Sequence, residues 1–148
     1  MADPVLDFGT LTLLHNRLGG LQVLPPNSTT WSYVKPLKKH CIVNLGDALV
    51  KFTAGVLRSN IHRVVNPPGE QAGEKRMSLV YFARPEDEVI LKTLEGSEVI
   101  AEKRTAGGVN EDEEEITAKD WITRRALGRR TGGNWKASEG TEGDRFKH

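Results

Sequence analysis

The chain has 148 residues, 37% hydrophobic and 28% charged, which is the size and balance of one globular domain with room for a core. Its 15 glycines, its single cysteine, Cys41, and its length exclude collagen-like repetition, a disulfide framework and a multidomain machine. With 21 Lys and Arg against 20 Asp and Glu the net charge is +1, so no global field draws nucleic acid or an anionic membrane.

The first residues, MADPVLDF, lack a basic region leading into an apolar segment, and no stretch approaches the roughly 20 apolar residues of a membrane span. A soluble, cytoplasmic protein is therefore expected. Short β-type runs follow at 11–14, 21–24, 31–34, 41–45, 49–52, 61–65 and 77–82. They are separated by turn chemistry: Gly19-Gly20, Pro25-Pro26-Asn27-Ser28, Gly46-Asp47, Ala54-Gly55 and Asn66-Pro67-Pro68-Gly69. Seven short strands at close spacing predict a sandwich, jelly roll or barrel.

Composition changes near residue 101. Residues 1–101 carry 21 of the 41 charged residues and six of the nine aromatics, whereas the last 47 carry 20 charges, so the core is expected in 1–101. Residues 102–148 are read as an acidic linker (Glu111 to Glu115), a helix over 116–130 and a disordered tail from 131. Thr117 suits the helix N-cap, Asp120 faces the positive end of the dipole, and Arg124, Arg125, Arg129 and Arg130 gather at the other end. Trp121, Arg125 and Gly128 offer only a narrow face, which predicts weak docking. The arginine cluster reads as a solvated face neutralised by the acidic run.

Several polar residues have two readings on local grounds. Asp7 is either an Asx turn before Phe8-Gly9 or a metal carboxylate. His62 lies in an otherwise apolar run, as a satisfied structural histidine or as a ligand. Arg76 and Ser78 share a strand face two residues apart, which suits an exposed surface pair or a carboxylate anchor. Asp47 reads as a turn residue with no partner, Trp31 as core or rim packing, Cys41 as a buried strand residue, and Arg58 and His15 as solvated.

Four segments, DFGTLTLLH at 7–15, VNLGDALVKFTAG at 43–55, RSNIHRVV at 58–65 and RMSLVYFARP at 76–85, carry a resemblance. Across about residues 5–95 the chain closely resembles the C-terminal half of the isopenicillin N synthase-like family of iron(II) and 2-oxoglutarate-dependent dioxygenases. That family has a His-x-Asp strand, Gly-Leu-Gln-Val, Val-Asn-x-Gly-Asp, a second histidine in His-Arg-Val and an Arg-x-Ser pair, in this order. The resemblance implies a mainly β fold, a partial double-stranded β-helix (jelly roll, cupin-like), with a C-terminal helix. It implies Asp7 and His62 as Fe(II) ligands, Arg76 and Ser78 as the anchor of the 2-oxoglutarate cosubstrate, and oxidation of a small organic molecule with release of succinate and carbon dioxide.

The position of the family's first histidine holds Val5, which cannot ligate iron, and about half the family's length lies upstream of the matching region. The implied alternatives are a truncated gene product, or a short, catalytically inactive member that binds 2-oxoglutarate or another protein. Unpaired strand edges then predict self-association. Nucleic acid and membrane are not expected partners.

Overall fold

The computed structural model describes residues 5–106 and 115–130. The acidic linker at 111–114 and the tail at 131–148 lie outside the described residues. Six strands form: β1 (Leu11–Asn16), β2 (Leu21–Val23), β3 (Ser32–Tyr33), β4 (Ile42–Leu45), β5 (His62–Val64) and β6 (Ser78–Ala83). They make two antiparallel three-stranded sheets, in the orders β4-β1-β6 and β3-β2-β5. In the first, Leu11 faces both Leu45 and Ala83; in the second, Leu21 faces Val64 and Val23 faces His62. The turn chemistry punctuates the strands as expected. Gly20 takes a φ of +97°, where an added Cβ would stand 2.4 Å from the Val65 carbonyl oxygen, so only glycine carries the chain from β1 into β2 there.

The run at 49–52 is not a strand. It belongs to helix α1 (Asp47–Phe52). Leu49, Val50 and Phe52 fit one turn of helix as well as a short strand, and here long-range bonds decide. The amides of Asp47 and Ala48 donate to the carbonyls of Asp7 (2.8 Å) and Gly9 (3.1 Å), which satisfies two of the orphan donors of the first helical turn. Helix α2 (Glu98–Thr105), capped by the Ser97 hydroxyl, adds an element to the expected set. Helix α3 (Ala118–Arg130) starts where expected, with the Asp120 amide donating to the Thr117 hydroxyl at 3.1 Å.

Helix α3 does not dock weakly. Ile116 and Ala118 join Ala48 and Leu91 in a buried cluster, with Phe52 and Trp121 packed against it. The segment before α3 pairs with the chain after β6: Leu91 donates to Ile116 (3.0 Å) and Ala118 to Val89 (2.8 Å). Arg125 is buried rather than solvated and bonds the carboxylate of Asp47, so the turn residue expected to be alone is an ion-pair partner. Both errors have one cause, a contact between residues 78 positions apart. Cys41 is exposed, not buried, because it precedes the edge strand β4, whose Val43 is also exposed.

Strand β6 is the other edge of its sheet and is apolar on both faces. Leu79 and Tyr81 on one side and Phe82 on the other are more than half exposed. Among the described residues no helix is long and apolar enough to cross a membrane.

Candidate functional site

The two sheets meet where the segment before β1 bonds to the first residue of β5. Val5 and His62 exchange both backbone hydrogen bonds, at 2.8 and 3.0 Å, in an isolated antiparallel bridge. Residues opposite each other in such a pair project to the same side, as do residues two apart on one extended strand. Val5, Asp7 and His62 therefore share one space.

In that space the Asp7 Oδ1 atom and the His62 Nε2 atom stand 3.9 Å apart, both side chains about 15% exposed. The other carboxylate oxygen, Oδ2, accepts from the Thr12 hydroxyl and from the Asn44 amide, each at 2.7 Å. Thr12 and Asn44 are cross-strand partners on β1 and β4, so a pair of adjacent strands grips one oxygen and leaves the other turned to the imidazole. His62 Nδ1 lies 3.2 Å from the Asn60 carbonyl oxygen. A carbonyl only accepts, so Nδ1 is the donor in that contact, which leaves Nε2 as the ring nitrogen turned to Asp7.

Two lone-pair donors facing each other beyond hydrogen-bond distance suit a shared cation. Imidazole nitrogen and carboxylate oxygen are ligands iron(II) accepts, and two bonds of about 2.0–2.2 Å span the observed gap. The residues present thus fit two of the three protein positions of a two-histidine, one-carboxylate metal site. Val5 occupies the side where a third donor would stand. Among the described residues no group of three or more His, Cys, Asp or Glu side chains is placed to hold a metal ion.

Arg76 is half-buried at the far end of the same sheet, and its Nε donates to the Gly19 carbonyl at 3.0 Å. The Gly19 amide in turn donates to the Gln71 side-chain oxygen at 3.0 Å, so the loop between β5 and β6 holds the residue whose carbonyl orients the guanidinium. The neighbouring Gly20 carbonyl bonds the Val65 amide at 2.8 Å, three residues along from His62, or about 10 Å of extended chain. Ser78 opens β6, exposed, opposite Asn16. His15 is exposed on β1, and Arg58 is exposed ahead of β5. Trp31 is half-buried beneath the Arg63 guanidinium, 4.1 Å from the ring centroid.

Behind the site lies a cationic layer on α1 and α3. Lys51 sits over the Trp121 ring at 4.6 Å, and Arg125 stacks on the same ring at 4.0 Å. Burial pushes the Lys51 ammonium from its ordinary 10.5 down to about 8, with Arg125 and Arg124 adding to the fall. Burial also pushes the Asp47 carboxyl up, opposed by the Arg125 guanidinium and the Ser59 hydroxyl. Sequence reasoning missed Thr12, Asn44, Asn60, Gln71 and Arg125. A hydroxyl inside the apolar run 11–14 was a signal for Thr12, since a buried hydroxyl needs a partner, but the others depend on contacts that no local pattern marks.

The sequence pattern of the 2OG-Fe(II) oxygenase superfamily matches residues 3–85, more than half of the chain, and the chain belongs to that superfamily. It is 43% identical over 95 residues to the 2-oxoglutarate-dependent dioxygenase gloE of Glarea lozoyensis, covering 64% of this chain and 28% of that protein. It is 39% identical over 100 residues to the 2-oxoglutarate-dependent dioxygenase iboH of Amanita muscaria, covering 66% and 48%. Among solved structures, an oxygenase-family protein from Caulobacter crescentus superposes with a TM-score of 0.69 at 32% identity, covering 84% of this chain and 39% of that one. A full-length Neurospora crassa protein, solved in complex with alpha-KG and 5-formyluracil, superposes with a TM-score of 0.68 at 28% identity, covering 84% and 38%. The chain thus spans less than half the length of these relatives. Its two antiparallel sheets with a C-terminal helix are part of the jelly roll of 2OG-Fe(II) oxygenases.

Proposed function

We propose that the chain is the ligand-bearing, C-terminal portion of an iron(II)- and 2-oxoglutarate-dependent dioxygenase that oxidises a small organic molecule by hydroxylation, desaturation or ring closure. The observation that carries this reading is the facing of Asp7 Oδ1 and His62 Nε2 across 3.9 Å, with the imidazole oriented by Asn60. Asp7 and His62 would hold the iron. Bound there, the metal supplies the oxidising chemistry that couples conversion of 2-oxoglutarate to succinate and carbon dioxide with attack on a C–H bond.

The chain's own residues bind and orient. Thr12 and Asn44 hold Asp7 by Oδ2, so Oδ1 stays available and the carboxylate does not rotate. Arg76, steadied at Nε by Gly19, would use its terminal nitrogens to pair with the distal carboxylate of 2-oxoglutarate, and Ser78 would add a hydroxyl donor. Partners in this reading are a small-molecule substrate and other β-edges of its own kind, the exposed apolar β6 supporting self-association. Burial of Arg125 in an ion pair removes one cation from any basic patch for nucleic acid. A cytoplasmic location is supported by a lone cysteine that is a free thiol.

The test is binding of 2-oxoglutarate and Mn(II) to the whole chain under anaerobic conditions, followed by calorimetry. The expected result is mutual strengthening of the two ligands, with metal binding lost in Asp7→Ala and His62→Ala. Unchanged binding in both variants would overturn the assignment.

A further inference from the structure

Asp47 and Arg125 bury opposite charges, at 2% and 3% exposure, beside an apolar cluster of Ala48, Leu91, Ile116 and Ala118. Buried ion pairs are frequently no better for stability than packed apolar residues of the same volume. Here the pair also leaves the Arg125 Nε and the neighbouring Trp121 Nε1 buried without a hydrogen-bond partner among the described residues, which adds cost. A helix that needed only to dock would do so at less expense with leucine. The pair's use lies in what Asp47 touches.

Asp47 is bonded to both segments that carry the facing donors. Its backbone amide donates to the Asp7 carbonyl at 2.8 Å, and the next amide, that of Ala48, donates to Gly9 at 3.1 Å, which closes the turn after Asp7 from both sides. Its carboxylate accepts from the Ser59 hydroxyl, three residues before His62, and from Arg125. Ile61, between Ser59 and His62, is buried, so the segment cannot shift independently of its neighbours. Arg125 also lies 5.5 Å from the ring centroid of Phe8, next to Asp7, and stacks on Trp121.

We propose that Asp47 and Arg125 form a positioning latch, through which the seating of helix α3 sets the distance between Asp7 and His62 and hence the affinity of the metal site. The inference rests on the proposed reading of Asp7 and His62 as metal ligands. Neither latch residue touches metal or cosubstrate. Arg125 fixes the Asp47 carboxylate, Asp47 holds Ser59 and the Asp7 turn, and those two segments present the donors.

The experiment compares the wild type, Arg125→Met, Arg125→Lys and the double variant Asp47→Leu with Arg125→Met, in which no side-chain acceptor remains for Ser59. Three quantities are measured: melting temperature, the Mn(II) dissociation constant from the EPR signal of free Mn(II), and amide exchange at Val5, Asp47 and His62. Arg125→Met strands a buried carboxylate and should lower both stability and affinity. The double variant removes the buried charges and should melt within about 5 °C of the wild type. It should still bind Mn(II) at least about tenfold more weakly, the size of effect that loss of outer support brings to a metal site. Arg125→Lys should retain affinity within about threefold, because the charge-assisted bond survives.

A double variant that is folded and binds Mn(II) like the wild type overturns the latch. If the wild type binds Mn(II) in a way that Asp7→Ala and His62→Ala do not affect, the metal reading fails instead. Amide exchange then decides the latch alone. Faster exchange at Val5 and His62 in the double variant, with β1 and β6 unchanged, supports it, and unchanged exchange there overturns it.

Discussion

Val5→His should raise metal affinity by about two orders of magnitude. Val5 and His62 exchange both backbone hydrogen bonds, a pairing that holds Cα atoms about 5.5 Å apart with side chains on one side, and Val5 is two residues from Asp7. An imidazole at position 5 therefore enters the space between the existing donors without a change of backbone. Four-donor structural zinc sites are worth about 10–16 kcal/mol, roughly 3 kcal/mol per donor, and 1.4 kcal/mol is tenfold in affinity. Val5 is only half-buried, so its removal should cost under about 1.5 kcal/mol of stability. Anaerobic calorimetry with Fe(II) or Mn(II), using Val5→Ala as the control for lost bulk, measures the gain. A folded Val5→His variant that binds either metal within threefold of the wild type would show that residue 5 does not reach the Asp7 and His62 donors.

Arg76→Ala should weaken 2-oxoglutarate binding about ten- to hundredfold, the equivalent of one charged hydrogen-bonding partner, with metal affinity in the absence of cosubstrate unchanged; calorimetry checks both. Asn44→Ala removes one of two bonds to Asp7 Oδ2 and should cost about tenfold in Mn(II) affinity by EPR, whereas Asn44→Asp, which sets a like charge against Asp7, should cost more. Lys51→Met should raise the melting temperature at pH 7, and the advantage should shrink at higher pH. The folded-state pKa of Lys51, about 8, lies below its ordinary 10.5, so the charged form is penalised in the fold at neutral pH. Between pH 8 and about 10.5 the unfolded chain binds the proton and the folded chain does not, so wild-type stability gains across that window. A melting-temperature difference that is constant from pH 7 to 10 would contradict it.

Most strands were legible because turn residues bracket each one, and helix α3 because Thr117 and Asp120 mark its start. Helix α1 was not. Its residues Leu49, Val50 and Phe52 fall within one turn, too few to separate a period of 3.6 from a period of 2, and the distant carbonyls of Asp7 and Gly9 settle the matter. Helix α2 carries no apolar stripe, and none of its residues is buried, so only its Ser97 cap was available as a signal. At the candidate site the pattern singles out Asp7 and His62, but not the residues that orient them. Thr12 and Asn44 act through β-register, and Asn60 through a local carbonyl. Arg125 was hidden in an arginine cluster beside the exposed Arg124, since composition cannot tell which of several arginines a helix turns inward.

The most direct measurement is paramagnetic broadening of backbone and imidazole NMR signals of the full-length chain by substoichiometric Mn(II), with and without 2-oxoglutarate. The expected result is broadening centred on Val5 to Asp7, Asn44 and the His62 ring, abolished in His62→Ala, with 2-oxoglutarate shifting the Arg76 side-chain signal. Broadening centred instead on His15, His40 or the acidic residues near Glu98, and unaffected by His62→Ala, would contradict the assignment of Asp7 and His62 as the metal-holding pair.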